Sequence, residues 1–87
     1  MEEVVRKYVE TFNEMSVGAE FCNYDFIDAV EAKTKEKLRI YDKQKIKYLL
    51  QCSAGSETEI IQKRRGINPY VFKKISSTEV EKIERQM

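Results

Sequence analysis

The chain of 87 residues is long enough for one small domain, and its 41% hydrophobic content with five Tyr and four Phe excludes a disordered chain. No apolar run approaches the roughly 18 residues of a membrane span, and the acidic N-terminus lacks the pattern of a secretory signal. Two cysteines and no histidine indicate neither a disulfide framework nor a zinc site. We therefore expect a cytoplasmic protein without metal or other cofactor.

The first third of the sequence predicts two helices joined by a short extended segment. Apolar residues recur at helical spacing over Glu2–Met15, with acidic side chains on the opposite side. Gly18 breaks this pattern, and residues 20–22 are then short and extended. Asn23 is a favourable N-cap, which predicts a second helix over about Tyr24–Lys35.

A third helix is expected over about Lys43–Cys52, with Asp42 as its N-cap. We expect Leu38 and Ile40 to hold the preceding connection against the core. The apolar side of the helix is formed by Ile46, Leu49 and Leu50. Its opposite side is polar, with Gln44, Lys47, Tyr48 and Gln51 at the centre and Lys43 and Lys45 at the edges.

Beyond this helix the apolar period changes from 3.6 to 2, which predicts a β-hairpin. Its strands are expected at Thr58–Lys63 and Pro69–Ile75, joined by the short loop 64–68, which contains Gly66. Because proline has no N–H to donate to a neighbouring strand, Pro69 favours an edge strand for the second half of the hairpin.

The C-terminal residues predict a last short helix. Ser76 and Glu79 match a capping box, so we expect the helix over Ser77–Met87. Its apolar stripe either packs on the first helix or contacts a second copy of the chain, and we favour a homodimer. The stripe consists of Val80, Ile83 and Met87. The chain is thus interpreted as one domain over 1–75 followed by a helix over 76–87.

The net charge of +1 conceals a strong polarity along the chain. Residues 1–32 hold two basic and eight acidic side chains, a net charge of −6. Residues 33–75 hold twelve basic and four acidic side chains, a net charge of +8, and the tail sums to −1. Such asymmetry points to a polyanionic partner, although a run of lysines is also typical of a solvated surface.

The order helix, short strand, helix, helix, strand, basic loop, strand, helix resembles the winged helix-turn-helix DNA-binding domain. The resemblance covers about residues 2–75 and is carried by VGAEFCNYDFIDAV (17–30) and QKRRGINPYVFKKI (62–75). It implies an α+β, mainly α fold, with a three-helix core, a β-hairpin wing and a short C-terminal helix. The segment Lys33–Tyr41 departs from it, because it is longer than the tight turn of the simplest helix-turn-helix.

That resemblance implies a sequence-specific binder of duplex DNA, a small transcriptional regulator. The helix 43–52 would read the major groove, while the wing tip 63–66 would contact the backbone or a minor groove. Glutamine amides match adenine, whereas lysine and arginine neutralise phosphates. The candidate DNA-binding residues are Lys43, Gln44, Lys45, Lys47, Tyr48, Gln51, Lys63, Arg64 and Arg65.

Other interpretations stay open. Polar residues on an outer helix face also serve solubility, two arginines at a turn also discourage strand pairing, and Tyr48 could fold over the core rim. A winged-helix domain can instead mediate protein–protein contact, and Tyr70 with Phe72 could stack on RNA bases. Cys22 is interpreted as a small buried hydrophobe, and a redox role of Cys52 is left open.

Nothing in the sequence favours catalysis. Without histidine, a serine, threonine or cysteine nucleophile lacks its commonest activating base. The three glycines are isolated and form no phosphate-binding loop. We therefore expect no enzymatic activity, and the sequence indicates no small-molecule ligand.

Overall fold

The computed structural model describes residues 3–86, which form four helices and a three-stranded antiparallel sheet. The helices are α1 (Glu3–Glu14), α2 (Asn23–Ala32), α3 (Ile40–Ser53) and α4 (Val80–Gln86). The strands are β1 (Glu20–Cys22), β2 (Thr58–Gln62) and β3 (Val71–Lys74). The α+β class and the order of elements predicted from the sequence are confirmed.

Helix α1 lies at the centre of the fold and packs against each of the other three helices. Tyr8 and Phe12 are at most 2% exposed, and the Tyr8 ring meets the edge of Phe26 at 5.2 Å between centroids. Burying each such side chain stabilises the fold by roughly 1.5–3 kcal/mol. The apolar side expected for α3 is also confirmed, because Ile46, Leu49 and Leu50 are all buried.

Strand β3 is the central strand of the sheet, between β1 and β2. Phe72 lies opposite both Phe21 and Ile60 and is 1% exposed, so the inner face of the sheet closes the core. The edge position expected for this strand is therefore wrong. Pro69 lies two residues before β3 begins, because a central strand uses its N–H groups on both sides and proline lacks one.

Helix α2 begins one residue earlier than predicted, and Cys22 rather than Asn23 is its N-cap. The Cys22 Sγ accepts a hydrogen bond from the Asp25 backbone N–H at 3.4 Å. The Asn23 backbone N–H donates to the carbonyl of Tyr70 at 3.3 Å, which places the residue inside the fold. Cys22 is therefore a half-buried capping residue, not only a small hydrophobe, and both cysteines are free thiols.

Helix α3 begins at Ile40, three residues before the predicted start. Its N-cap is Arg39, whose backbone N–H donates to Asp42 Oδ2 at 3.2 Å, so Asp42 lies inside the first turn. The connection from α2 is held by Glu31, whose Oε2 accepts from the Leu38 N–H at 2.8 Å. Leu38 packs on the core as expected, but Ile40 is 76% exposed, so the expectation for Ile40 is wrong.

Helix α4 begins at Val80, and the predicted capping box at Ser76 does not form, because the Ser76 N–H is bonded to the Glu57 carbonyl. The backbone before the helix is instead held by Asn13. Its Oδ1 accepts from the Thr78 N–H and its Nδ2 donates to the Thr78 carbonyl, both at 3.0 Å.

The apolar stripe of α4 packs within the chain. Ile83 is 4% exposed and belongs to the core, and half-buried Val80 packs against it. Met87 lies outside the described residues. A homodimer stays a prediction, but buried Ile83 is not available as its contact. None of the helices in residues 3–86 is long and apolar enough to cross a membrane.

Candidate functional site

The outer face of α3 presents the polar residues that the sequence places there. Gln44, Tyr48 and Gln51 follow one another at helical spacings of four and three residues, and all three are exposed. We call the outer face the α3 surface. It comprises Lys43, Gln44, Lys45, Lys47, Tyr48 and Gln51. No acidic residue occurs from position 43 to position 56, so this surface is basic.

The lysines of the α3 surface are half-buried, as is common for lysines whose aliphatic stems lie along a protein surface. The Lys47 ammonium lies 5.5 Å from the centroid of the Tyr24 ring, which belongs to the first turn of α2. Tyr24 is itself 46% exposed. The contact joins α2 and α3 and adds an aromatic residue to the surface that the sequence did not indicate.

Tyr48 is 52% exposed, so its ring does not fold over the core rim. A hydrogen bond with Cys52, one turn further along α3, raises the pKa of the Tyr48 hydroxyl, with smaller contributions from the charge of Cys52 and from burial. A phenol has a single proton, so Tyr48 would have to exchange its hydrogen bond with Cys52 for one to an anion.

The second basic group lies at the end of the hairpin. Lys63, Arg64 and Arg65 are exposed, and we call them the hairpin tip. Arg65 and Asn68 exchange two backbone hydrogen bonds, of 3.0 and 2.8 Å. No acidic residue occurs between Glu59 and Glu79 in the sequence. The hairpin tip thus carries three consecutive positive charges, the last of which begins the closed turn.

Several further basic residues of the segment 33–75 lie in contacts outside the α3 surface and the hairpin tip. Lys33 pairs with Glu14 at 2.6 Å, and Lys74 is 1% exposed. Lys73 lies opposite Glu20 and Glu59 in the sheet, so that row of the outer sheet face is not basic. The net charge of +8 is therefore distributed over fewer surface positions than the sequence indicated.

The first turn of α3 adds residues that the sequence analysis missed. Ile40 and Tyr41 are 76% and 65% exposed and continue the stripe of Gln44 and Tyr48 towards the helix start. Arg39 precedes them, with its Nε 3.7 Å from the Asp42 carboxylate. The signal in the sequence is the helical spacing of Tyr41, Gln44 and Tyr48. It was missed because Tyr41 lies outside a helix that starts at Lys43.

Other kinds of site find little support within residues 3–86. No group of three or more His, Cys, Asp or Glu side chains there is arranged to hold a metal ion. A depression of about 720 Å³ lies between the start of α1 and residues 34–42. Acids and bases such as Glu3, Lys35 and Glu36 alternate along its wall. This depression therefore favours neither an anionic nor a cationic ligand.

The sheet face that could stack on bases points inward. Phe72 is 1% exposed, and its ring stacks on half-buried Tyr70 at 5.9 Å. Base stacking requires an exposed aromatic face, so this pair acts as core. Comparisons of the chain with protein-family models, with curated proteins and with solved structures found no match.

Proposed function

We propose that this chain is a sequence-specific duplex DNA-binding protein with a winged helix-turn-helix architecture, acting as a small transcriptional regulator. The observation that carries the proposal is the α3 surface. One side of the helix is buried at Ile46, Leu49 and Leu50, while the other exposes amides, a phenol and lysines without any acid. A helix of this kind fits the major groove, where amides read bases and ammonium groups meet phosphates.

The arrangement of the elements supports the same architecture. Helix α3 follows α2 through the fixed connection 33–39 and leads directly into the hairpin. The sheet order β1-β3-β2 attaches that hairpin to the short strand before α2. This layout is consistent with a three-helix core and a wing, and the hydrogen bond from Leu38 to Glu31 holds the longer connection.

The dimensions suit one half-site per chain. Strand β2 has five residues, which at about 3.3 Å each span roughly 16 Å, a reach that would suit contact with a neighbouring groove or backbone. The longest axis of the described residues is 30 Å, and half-sites are spaced about 34–36 Å apart on DNA. One chain would thus cover one half-site, and binding to an inverted repeat with two half-sites would require a homodimer.

The two basic groups would have different roles. Gln44 and Gln51 would read base edges, since an amide can donate and accept at once, as adenine requires. Arg64 and Arg65 would hold phosphates or a narrow minor groove, since guanidinium groups match both. The lysines of the α3 surface would supply affinity that does not depend on sequence.

A titration of duplex DNA at several salt concentrations tests the proposal. We expect the logarithm of the binding constant to fall linearly with the logarithm of salt concentration, with a slope of about −0.9 for each phosphate contacted. Absent binding at low salt, or binding without salt dependence, would overturn the proposal.

Paired variants test the two roles. The double variant Arg64→Gln and Arg65→Gln should weaken binding to all sequences and reduce the salt slope. Lys35→Gln with Lys37→Gln removes the same charge from the exposed connection before α3 and should have little effect. Gln44→Ala or Gln51→Ala should instead change the preference at particular base pairs, by roughly 1–3 kcal/mol for each good contact. If the arginine and glutamine variants behave identically, the proposed separation into phosphate-binding and base-reading residues is wrong.

A winged-helix protein–protein interaction module without DNA binding is the alternative, and one observation favours it. Ile40 and Tyr41 are both largely exposed at the start of α3, where apolar side chains could bury surface on a protein partner. On DNA the same residues would contact thymine methyl groups. If Ile40→Ser leaves DNA affinity unchanged in a chain that binds DNA, then these residues do not belong to the DNA contact.

A further inference from the structure

The most exposed large apolar side chain of the described residues lies beside the hairpin tip. Ile67 is 97% exposed, compared with 48% for Ile61 on the same hairpin. A lone exposed isoleucine on a convex surface is ordinary. Ile67 differs because it occupies the outermost turn, next to three consecutive basic residues, Lys63 to Arg65.

The turn that carries Ile67 is held in one shape. Arg65 and Asn68 bond to each other through both N–H groups, which leaves only Gly66 and Ile67 in the loop. Gly66 has a φ of +55°, whereas Ile67 has no positive φ, as in a type II′ turn with glycine first. At the base of the loop, Gln62 Nε2 donates to the Pro69 carbonyl at 3.1 Å. The backbone of the turn would therefore lose little conformational entropy when Ile67 contacts a ligand.

The positive charge beside Ile67 favours one class of binding partner. An apolar partner surface on a protein would leave the guanidinium groups of Arg64 and Arg65 unpaired, which costs free energy. The edge of a DNA groove offers phosphates for both guanidinium groups and, where a base step between them opens, the apolar faces of its bases. Branched apolar side chains on basic elements insert between base pairs from the minor groove and kink the duplex.

We propose that Ile67 inserts between adjacent base pairs from the minor groove and kinks the DNA there, while Arg64 and Arg65 contact the flanking backbone. This inference rests on the proposed function, because it requires duplex DNA. Insertion separates two stacked base pairs, so it favours pyrimidine–purine steps such as TA, which unstack most easily. The wing would thereby select sequence through deformability, without hydrogen bonds to bases.

Two duplexes of about 30 base pairs test this, identical except for a central tract that alternates T and A in one and is a run of A in the other. The two have equal charge and composition, so the number of phosphates is matched, and the narrow minor groove of the A run can only favour the arginines on the duplex that contains it. We expect the wild-type chain to bind the alternating duplex about tenfold more tightly. It should also raise the fluorescence of 2-aminopurine placed at a TA step, because the base becomes unstacked.

Ile67→Ala should reduce the preference to less than about twofold and abolish the rise in fluorescence, with the salt slope unchanged because no charge is lost. Ile67→Leu should restore both. Ile61→Ala, which removes the same atoms from another exposed position of the hairpin, should behave as the wild type. If the wild-type chain binds both duplexes equally and without a fluorescence change, the insertion is overturned while DNA binding stands. If it binds neither duplex at low salt, the proposed function fails as well.

Discussion

The ammonium group of Lys74 donates a hydrogen bond of 2.8 Å to the backbone carbonyl of Phe12, across 62 positions of the sequence. A second bond of 2.5 Å goes to the carbonyl of Met15, and the Nζ lies 5.1 Å from the centroid of the Phe12 ring. These carbonyls belong to the end of α1, where a helix leaves acceptors without partners and carries partial negative charge. Lys74 therefore joins the central strand to the central helix, and burial lowers the pKa of its amine.

Replacing Lys74 should destabilise the fold although it removes a buried charge. Lys74→Met removes the donor of the Met15 carbonyl and one of the two donors of the Phe12 carbonyl, which keeps the Met15 N–H at 3.2 Å. We expect the free energy of unfolding in urea to fall by about 1–3 kcal/mol. Lys73→Met removes the same charge from the exposed side of the same strand and should cost less than about 1 kcal/mol. Equal effects of the two variants would show that net charge, not the hydrogen bonds, is responsible.

Stability should fall in acid because of Glu57, which is 3% exposed. Burial raises the pKa of this carboxyl, but hydrogen bonds from Lys82 and Ser56 outweigh it and hold the pKa below its ordinary value of 4.5. The folded state thus binds the proton more weakly than the unfolded state. The stabilisation is complete above about pH 4.5 and is lost as the pH falls through the lowered pKa.

Urea unfolding between neutral and acidic pH measures this effect. Glu57→Gln should lower the free energy of unfolding at neutral pH, and its curve should converge with that of the wild type as the pH falls. Glu59→Gln, on the exposed face of β2, makes the same chemical change and should follow the wild type throughout. A constant difference between Glu57→Gln and the wild type at every pH would contradict the assignment.

The packing of α4 predicts that Ile83 acts on stability and not on association. Ile83→Ala removes atoms from the core and should cost roughly 2–5 kcal/mol. Ile75→Ala makes the same change at a position that is 45% exposed and should cost much less. Sedimentation should give the same mass for the wild type and for folded Ile83→Ala. A lower mass with unchanged stability would place Ile83 in a homodimer contact after all.

If the chain binds DNA as proposed, the contact between Lys47 and Tyr24 should contribute to its affinity. Exposed cation–π contacts are worth about 0.5–1 kcal/mol, so Tyr24→Ala should weaken binding by roughly two- to fivefold. Tyr24→Phe keeps the ring and should bind as the wild type does if the ring positions Lys47. If Phe and Ala lower the affinity equally, the Tyr24 hydroxyl itself contacts the ligand.

The local sequence pattern predicts which helices and strands form, but not the residues at which they begin and end. The periodicity of the apolar residues predicts α1, the buried side of α3 and the hairpin, because each signal is repeated over several turns or residues. Helix starts depend on single hydrogen bonds. Asn23 is the better N-cap by residue type, yet it lies inside the first turn of α2, and Cys22 Sγ accepts the capping hydrogen bond from the Asp25 N–H.

By itself, the sequence determined which elements form, in what order, and which charges are near in the chain. Only the tertiary structure decided which basic residues remain on the surface, since Lys74 is buried against α1 and Lys33 pairs with Glu14. It also decided that Tyr24 lies beside Lys47. The physical reason is that burial and pairing depend on groups brought together from distant positions, whereas helical and strand periodicity are properties of neighbouring residues.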